Sequence, residues 1–172
     1  MNNLKTIMKT TNYNKVFVTG NHHFGSHLLL PQLQIYTKKQ EDELIDKWNS
    51  VVGKNDTVFY NGGFIDYDSI SYVKKYINRL NGKITYINDG SYRHNNHVFT
   101  SVVDEIYLSD LDIFISNNVI SNSAHINIIG VIKSIYNSYK NDYNIFCSDV
   151  ALNNGYPVSI KHIMDKFKVS NI

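Results

Sequence analysis

At 172 residues, with 42% apolar and 19% charged side chains, the chain fits one globular domain around a single sizeable core rather than two independent domains. A formal charge of +2, from 17 basic and 15 acidic residues, is too near balance to mark a protein that coats nucleic acid or lies on a membrane. One cysteine, Cys147, rules out an internal disulfide and suits a reducing compartment, so the expected location is cytoplasmic.

The opening MNNLKTIMKTTNYNK has no long apolar run of the kind a signal or membrane anchor needs. It reads as a flexible or edge segment over 1–14, ahead of one domain over 15–172. Lys15 to Thr19 is β-branched and predicts a strand. From Glu41 to Val52, the residues Leu44, Ile45, Trp48, Val51 and Val52 fall on one helical face. Asp56 to Tyr60 predicts a second strand, and the spacing of Ile70, Val73, Ile77 and Leu80 predicts a helix over 67–80. Asn81-Gly82 ends that helix, since both residues tolerate the left-handed conformation of a C-terminal cap. Ile84 to Ile87 predicts a third strand. Four short strands follow, Ile106 to Leu108, Asp112 to Ser116, His125 to Ile129 and Asn144 to Ser148, separated by Asn/Ser segments that suit turns. Pro157 is expected to open a last helix reaching Lys168. Cys147, within NIFCS, reads as a small buried hydrophobe, with a nucleophile as the remote alternative. Asn, Ile, Tyr and Lys are abundant and Ala and Pro scarce, as AT-rich coding produces, so richness in Asn is no binding signal by itself.

Four stretches taken together carry a resemblance: HFGSH; WNSVVGKNDTVFYNGGF; RLNGKITYINDGSYR; and ALNNGYPVSIKHIM. In this order the sequence resembles the calcineurin-like metallophosphoesterases, particularly the small phage type, over residues 15 to 168. The resemblance implies an α+β fold, a sandwich of two sheets flanked by helices. It also implies a two-metal site at the strand ends that hydrolyses phosphate esters.

Such chemistry needs a bridging carboxylate and further oxygen and imidazole donors, so that paired cations hold the phosphate and generate hydroxide at neutral pH. Against the family's motifs, most of these donors are missing. Asp-x-His becomes Asn21-His22-His23, which keeps the imidazole position as His23 and replaces the anionic ligand by an amide. Gly-Asp becomes Gly62-Gly63, so the bridging position has no side-chain donor. Gly-Asn-His-Asp falls on Asp89-Gly90-Ser91-Tyr92, placing Gly90 and Ser91 where an amide ligand and an acid histidine would stand. Downstream, the Ser-His histidine becomes Asn117, and Gly-His-x-His becomes Gly130-Val131-Ile132-Lys133. Val131 and Lys133 then occupy ligand positions, and an ammonium there repels divalent cations. The resemblance with these losses implies a pseudoenzyme that holds no metal and no cofactor. His22, His23 and His27 are close enough in sequence to form one residual metal site; the alternative is that they pack or line a loop.

Two functions follow. The leading one is a non-catalytic binding or inhibitor protein, a viral factor that sequesters or blocks a host nuclease, replication or defence component. Its viral setting rests on the phage-type resemblance and the composition. Arg93 and Lys133 would offer anion contacts at the former mouth, with Asn21, Asn61, Ser91 and Asn117 as neutral hydrogen-bonding groups. Tyr136, Tyr139 and Lys140, in SIYNSYKNDYN, would offer aromatic area and charge to a host protein, or to a nucleotide or nucleic acid. The alternative is a divergent metal-dependent phosphoesterase acting on nucleotides or nucleic acid, its site rebuilt from His22, His23, His27 and Asp66 or Asp89.

Overall fold

The computed structural model describes residues 5–9, 12–29, 32, 35–65, 70–89, 98–117, 121–122, 124–130 and 144–168. In chain order its strands are β1 (Lys5–Met8), β2 (Val16–Gly20), β3 (Thr57–Asn61), β4 (Lys83–Ile87), β5 (Ser101–Val103), β6 (Glu105–Leu108), β7 (Ile113–Ser116), β8 (Ile126–Ile129), β9 (Ile145–Cys147) and β10 (Val158–Ser159). Among the described residues the α-helices are α1 (Lys38–Val51), α2 (Ile70–Ile77) and α3 (Ile160–Lys168). The strands make two five-stranded mixed sheets, ordered β1-β6-β7-β8-β9 and β10-β2-β3-β4-β5, so the fold is an α/β sandwich. Within the second sheet β2, β3, β4 and β5 are parallel and β10 is antiparallel.

Strand periodicity divides the core into two layers. In β2, Val16 and Val18 face the other sheet while Phe17 faces the helices. In β3, Phe59 joins the inter-sheet layer with Ile106, Ile115 and Ile128, whereas Val58 and Tyr60 pack with Trp48 of α1 and Tyr76 of α2. Burial on both faces accounts for the near-continuous apolar runs VFV and TVFY, in which an alternating pattern would fail. Each such side chain contributes about 1.5–3 kcal/mol on full burial.

Helix α1 starts earlier than the apolar pattern indicates, because Thr37 and Gln40 form a reciprocal capping box ahead of Glu41. Leu44, Ile45, Trp48 and Val52 are buried as expected, but Val51 is exposed and turns away from the sheet. The Asn81-Gly82 turn is clamped to α1: the Trp48 indole donates to the Asn81 carbonyl at 2.8 Å, and the Asn81 N–H donates to Asn49 Oδ1 at 2.8 Å. Gly82 has φ +99°, which only glycine adopts without strain. The described part of α2 buries Val73 and Tyr76 and leaves Ile70 exposed; the expected start at 67 lies outside the described residues.

Two further departures have structural causes, at Pro157 and at β5. Pro157 does not open a helix. Val158 and Ser159 after it pair with Val18 and Phe17 as β10, and the Ser159 hydroxyl then accepts the His162 N–H at 3.2 Å, capping α3 one step later. Residues 5–8, within the expected flexible or edge segment, form an edge strand parallel to β6. Strand β5 has no counterpart among the strands expected from the sequence; it is three residues long and held by pairing with Thr85 to Ile87.

Candidate functional site

The C-terminal ends of β2, β3 and β4 and those of β7 and β8 meet at one rim, the position where open parallel sheets place ligands. Asn21 leaves β2 with φ +56° and is buried there. Both ends of its amide are engaged by protein. Nδ2 donates to the Gly130 carbonyl at 3.0 Å and to Asp149 Oδ2 at 3.1 Å, and Oδ1 accepts the Gly63 N–H at 3.0 Å. Asn21 thus joins the end of β2 to the ends of β8 and β9. Only an amide fits this role, because a carboxylate has no donor for the Gly130 carbonyl and would face Asp149 with like charge. Asp149 itself caps the 3-10 turn Val150–Asn153 by accepting the Ala151 N–H at 2.8 Å. Sequence reasoning missed Asp149; its signal is an acid directly after an apolar strand and before a turn.

His23 has φ +49°, and its imidazole fills the space beside Gly63. A Cβ on Gly63 would lie 2.6 Å from His23 Cε1, and one on Gly62 would lie 2.1 Å from Asn21 Oδ1. Residue 63, which the sequence resemblance sets against a bridging carboxylate, therefore lacks both a side chain and the room for one. Two main-chain bonds fix this arrangement, His23 N–H to the Gly63 carbonyl at 3.2 Å and Phe24 N–H to the Phe64 carbonyl at 2.9 Å.

Asn117 donates through Nδ2 to the Ile87 carbonyl at 2.8 Å, joining the two sheets, and its Oδ1 is buried without a hydrogen-bond partner. Both side-chain polar atoms of the wholly buried Asn61 are likewise unpartnered. Gly130 brings the two together: a Cβ there would be 2.6 Å from Asn61 Cβ and 2.9 Å from Asn117 Oδ1. Leaving a buried polar group unmatched costs about 1–3 kcal/mol, so the rim holds polar capacity that the described residues do not use.

The three clustered histidines go to three places. His22 is wholly buried, with its N–H donating to the Tyr60 hydroxyl at 2.9 Å and its ring 5.0 Å from Phe24 and 5.4 Å from Trp48. His27 Nδ1 lies 2.8 Å from Glu41 Oε2, and the Tyr76 hydroxyl donates to the same carboxylate at 2.5 Å. His23 remains at the rim. A joint site of His22, His23 and His27 is therefore not formed, because their loop turns them to the core, the rim and α1. Asp89 accepts the Tyr86 hydroxyl at 2.8 Å. Among the described residues, no three His, Cys, Asp or Glu side chains are grouped to hold a metal ion. Cys147 is buried in β9 and its thiol is pushed up to about 11 by burial, the opposite of an activated nucleophile. Arg93, Lys133, Tyr136, Tyr139, Lys140, Gly90, Ser91, Val131 and Asp66 lie outside the described residues.

Burial of His22 has a measurable consequence. Desolvation first, and the nearby His23 second, hold its imidazole down at about 3 instead of 6.5. Its contribution to stability is complete above the unfolded value and is lost as pH falls below it, by about 1.4 kcal/mol per pH unit. Urea unfolding at several pH values between neutrality and mild acid should show this slope, and His22→Phe should flatten it. An unchanged slope in the variant would assign the acid sensitivity to other groups.

No family model matches the chain, and no curated protein matches it. Among solved structures, it is similar to the protein of unknown function AQ665 from Aquifex aeolicus, with a TM-score of 0.66 at 14% identity, covering 88% of this chain and 97% of that one. At that identity the likeness is one of fold: the α/β sandwich is shared across nearly the whole of both chains.

Proposed function

We propose that the chain is a non-catalytic binding protein on a phosphoesterase-like scaffold, one that recognises a partner where its relatives in sequence pattern would hydrolyse an ester. The observation that carries this reading is the closure of the ligand positions: Asn21 is held by Gly130, Asp149 and Gly63, and the His23 ring fills the space a residue-63 side chain would need. A pair of cations has no bridging oxygen at residue 63, and the amide at residue 21 is turned to protein. What remains at that end is the unused hydrogen-bonding capacity of Asn61 and Asn117, whose unpartnered side-chain atoms lie buried just beneath the rim, where a partner that opens it would meet them. The sequence pattern adds a viral setting and a host protein as partner, with inhibition or sequestration as the outcome.

Purified protein should carry no stoichiometric manganese, iron or zinc by elemental analysis, and should leave a generic phosphodiester intact with manganese added. EDTA should leave the melting temperature nearly unchanged, since no resident metal stabilises the folded state. Near-stoichiometric metal, with hydrolysis abolished by His23→Ala, would establish the metal-dependent phosphoesterase instead.

A further inference from the structure

At the end of the sandwich opposite the asparagine rim, β1 and β6 of one sheet finish where β2 and β3 of the other begin, and the space between them is a cavity of about 250 Å³. Its floor is the inter-sheet core itself, the buried Val16, Phe59 and Leu108. Its mouth carries two exposed cations, Lys9 and Lys15, with the amides of Asn12 and Asn55 beside them. None of its described lining residues is acidic.

We propose that this cavity binds a small amphipathic anion, a single carboxylate or similar acidic head on a short apolar tail. The floor gains from covering by methylene groups, while paired lysines over a low-dielectric wall focus field on an incoming anion and the amides supply hydrogen bonds to its oxygens. A neutral apolar molecule would leave that field unused, and an amine would be repelled. A polyphosphate would leave the floor wet. The volume falls just below the usual range for drug-sized ligands, which restricts the tail to a short one. Met8 on the rim is exposed, so apolar surface reaches the mouth and gives a protruding tail a place to lie. The cavity shares no residue with the asparagine rim and does not depend on the proposed function.

The test is a thermal-shift series on the full chain with octanoate, acetate, octanol and octylammonium, repeated on the double variant Lys9→Glu/Lys15→Glu. Octanoate should raise the melting temperature of the wild type by roughly 3 °C once it is about tenfold above its Kd. Acetate and octylammonium should give no rise, and octanol less than half of the octanoate effect. Both lysines are exposed, so the variant should melt as the wild type does without ligand and lose the octanoate shift. Calorimetric titration of the wild type probes the same contacts without a variant: octanoate affinity should fall as salt screens the lysines. Equal shifts with octanol and octanoate, an octanoate shift undiminished in the variant, salt-independent affinity, or no octanoate shift at all would each overturn the proposal.

Discussion

Asn21→Asp should destabilise the protein by about 3–5 kcal/mol at neutral pH, although it changes one atom and restores the residue type expected of a metal-binding relative. The amide nitrogen that donates to Gly130 and Asp149 would become an oxygen facing a carbonyl and a carboxylate, all buried. Both carboxyl groups would then have folded pKa values above their unfolded ones. The penalty should therefore be full at pH 7.5 and shrink as pH falls towards the unfolded value near 4. Urea midpoints for wild type and variant at neutral and mildly acid pH measure it. A variant as stable as wild type at neutral pH would show that Asn21 does not hold the two sheets together in the manner described. Asn21→Leu provides the contrast, since it loses the bonds without adding charge and its deficit should not vary with pH in this way.

Glu41→Ala should cost a similar amount, about 3–5 kcal/mol, corresponding to a fall in melting temperature on the order of 10 °C. Glu41 is wholly buried at the start of α1, where its carboxylate meets the Tyr76 hydroxyl from α2 and the His27 ring from the loop after β2. Burial and that contact with Glu41 push the Tyr76 hydroxyl above its ordinary range, so it stays a donor at any working pH. Truncation would leave it without an acceptor. Glu41→Gln keeps the shape and one acceptor oxygen and should lose roughly 1–2 kcal/mol, the difference between a charged and a neutral hydrogen bond. Equal losses for Ala and Gln would mean that charge, rather than occupancy of the site, is what the packing requires. If neither variant moved the midpoint, the three-way contact would have no energetic weight.

The order of strands and helices was legible because the signals are local. Trp48 and its apolar neighbours repeat at helical spacing, VFV and TVFY are too continuously apolar for exposed strands, and Asn81-Gly82 carries its turn in its own backbone preferences. Boundaries slipped where a polar side chain or a distant strand decided them: Thr37 with Gln40 moved the start of α1, and pairing with β2 drew Val158 and Ser159 into a strand, after which the Ser159 cap starts α3. The absence of donors at Gly63 and of charge at Asn21 was also plain, since it is written in residue identity. What the remaining groups do was decided by tertiary structure alone. Asn21 meets Asp149 across 128 positions of chain, and no local pattern announces such a pair. Glu41 looks like an ordinary helix-start acid until His27 and Tyr76 fold over it, and three neighbouring imidazoles hold no common ligand site once their loop turns them to the core, the rim and α1. Spacing along a chain limits where side chains can go, but contacts between distant segments select which face of a tight loop is buried, and with it the chemistry each residue performs.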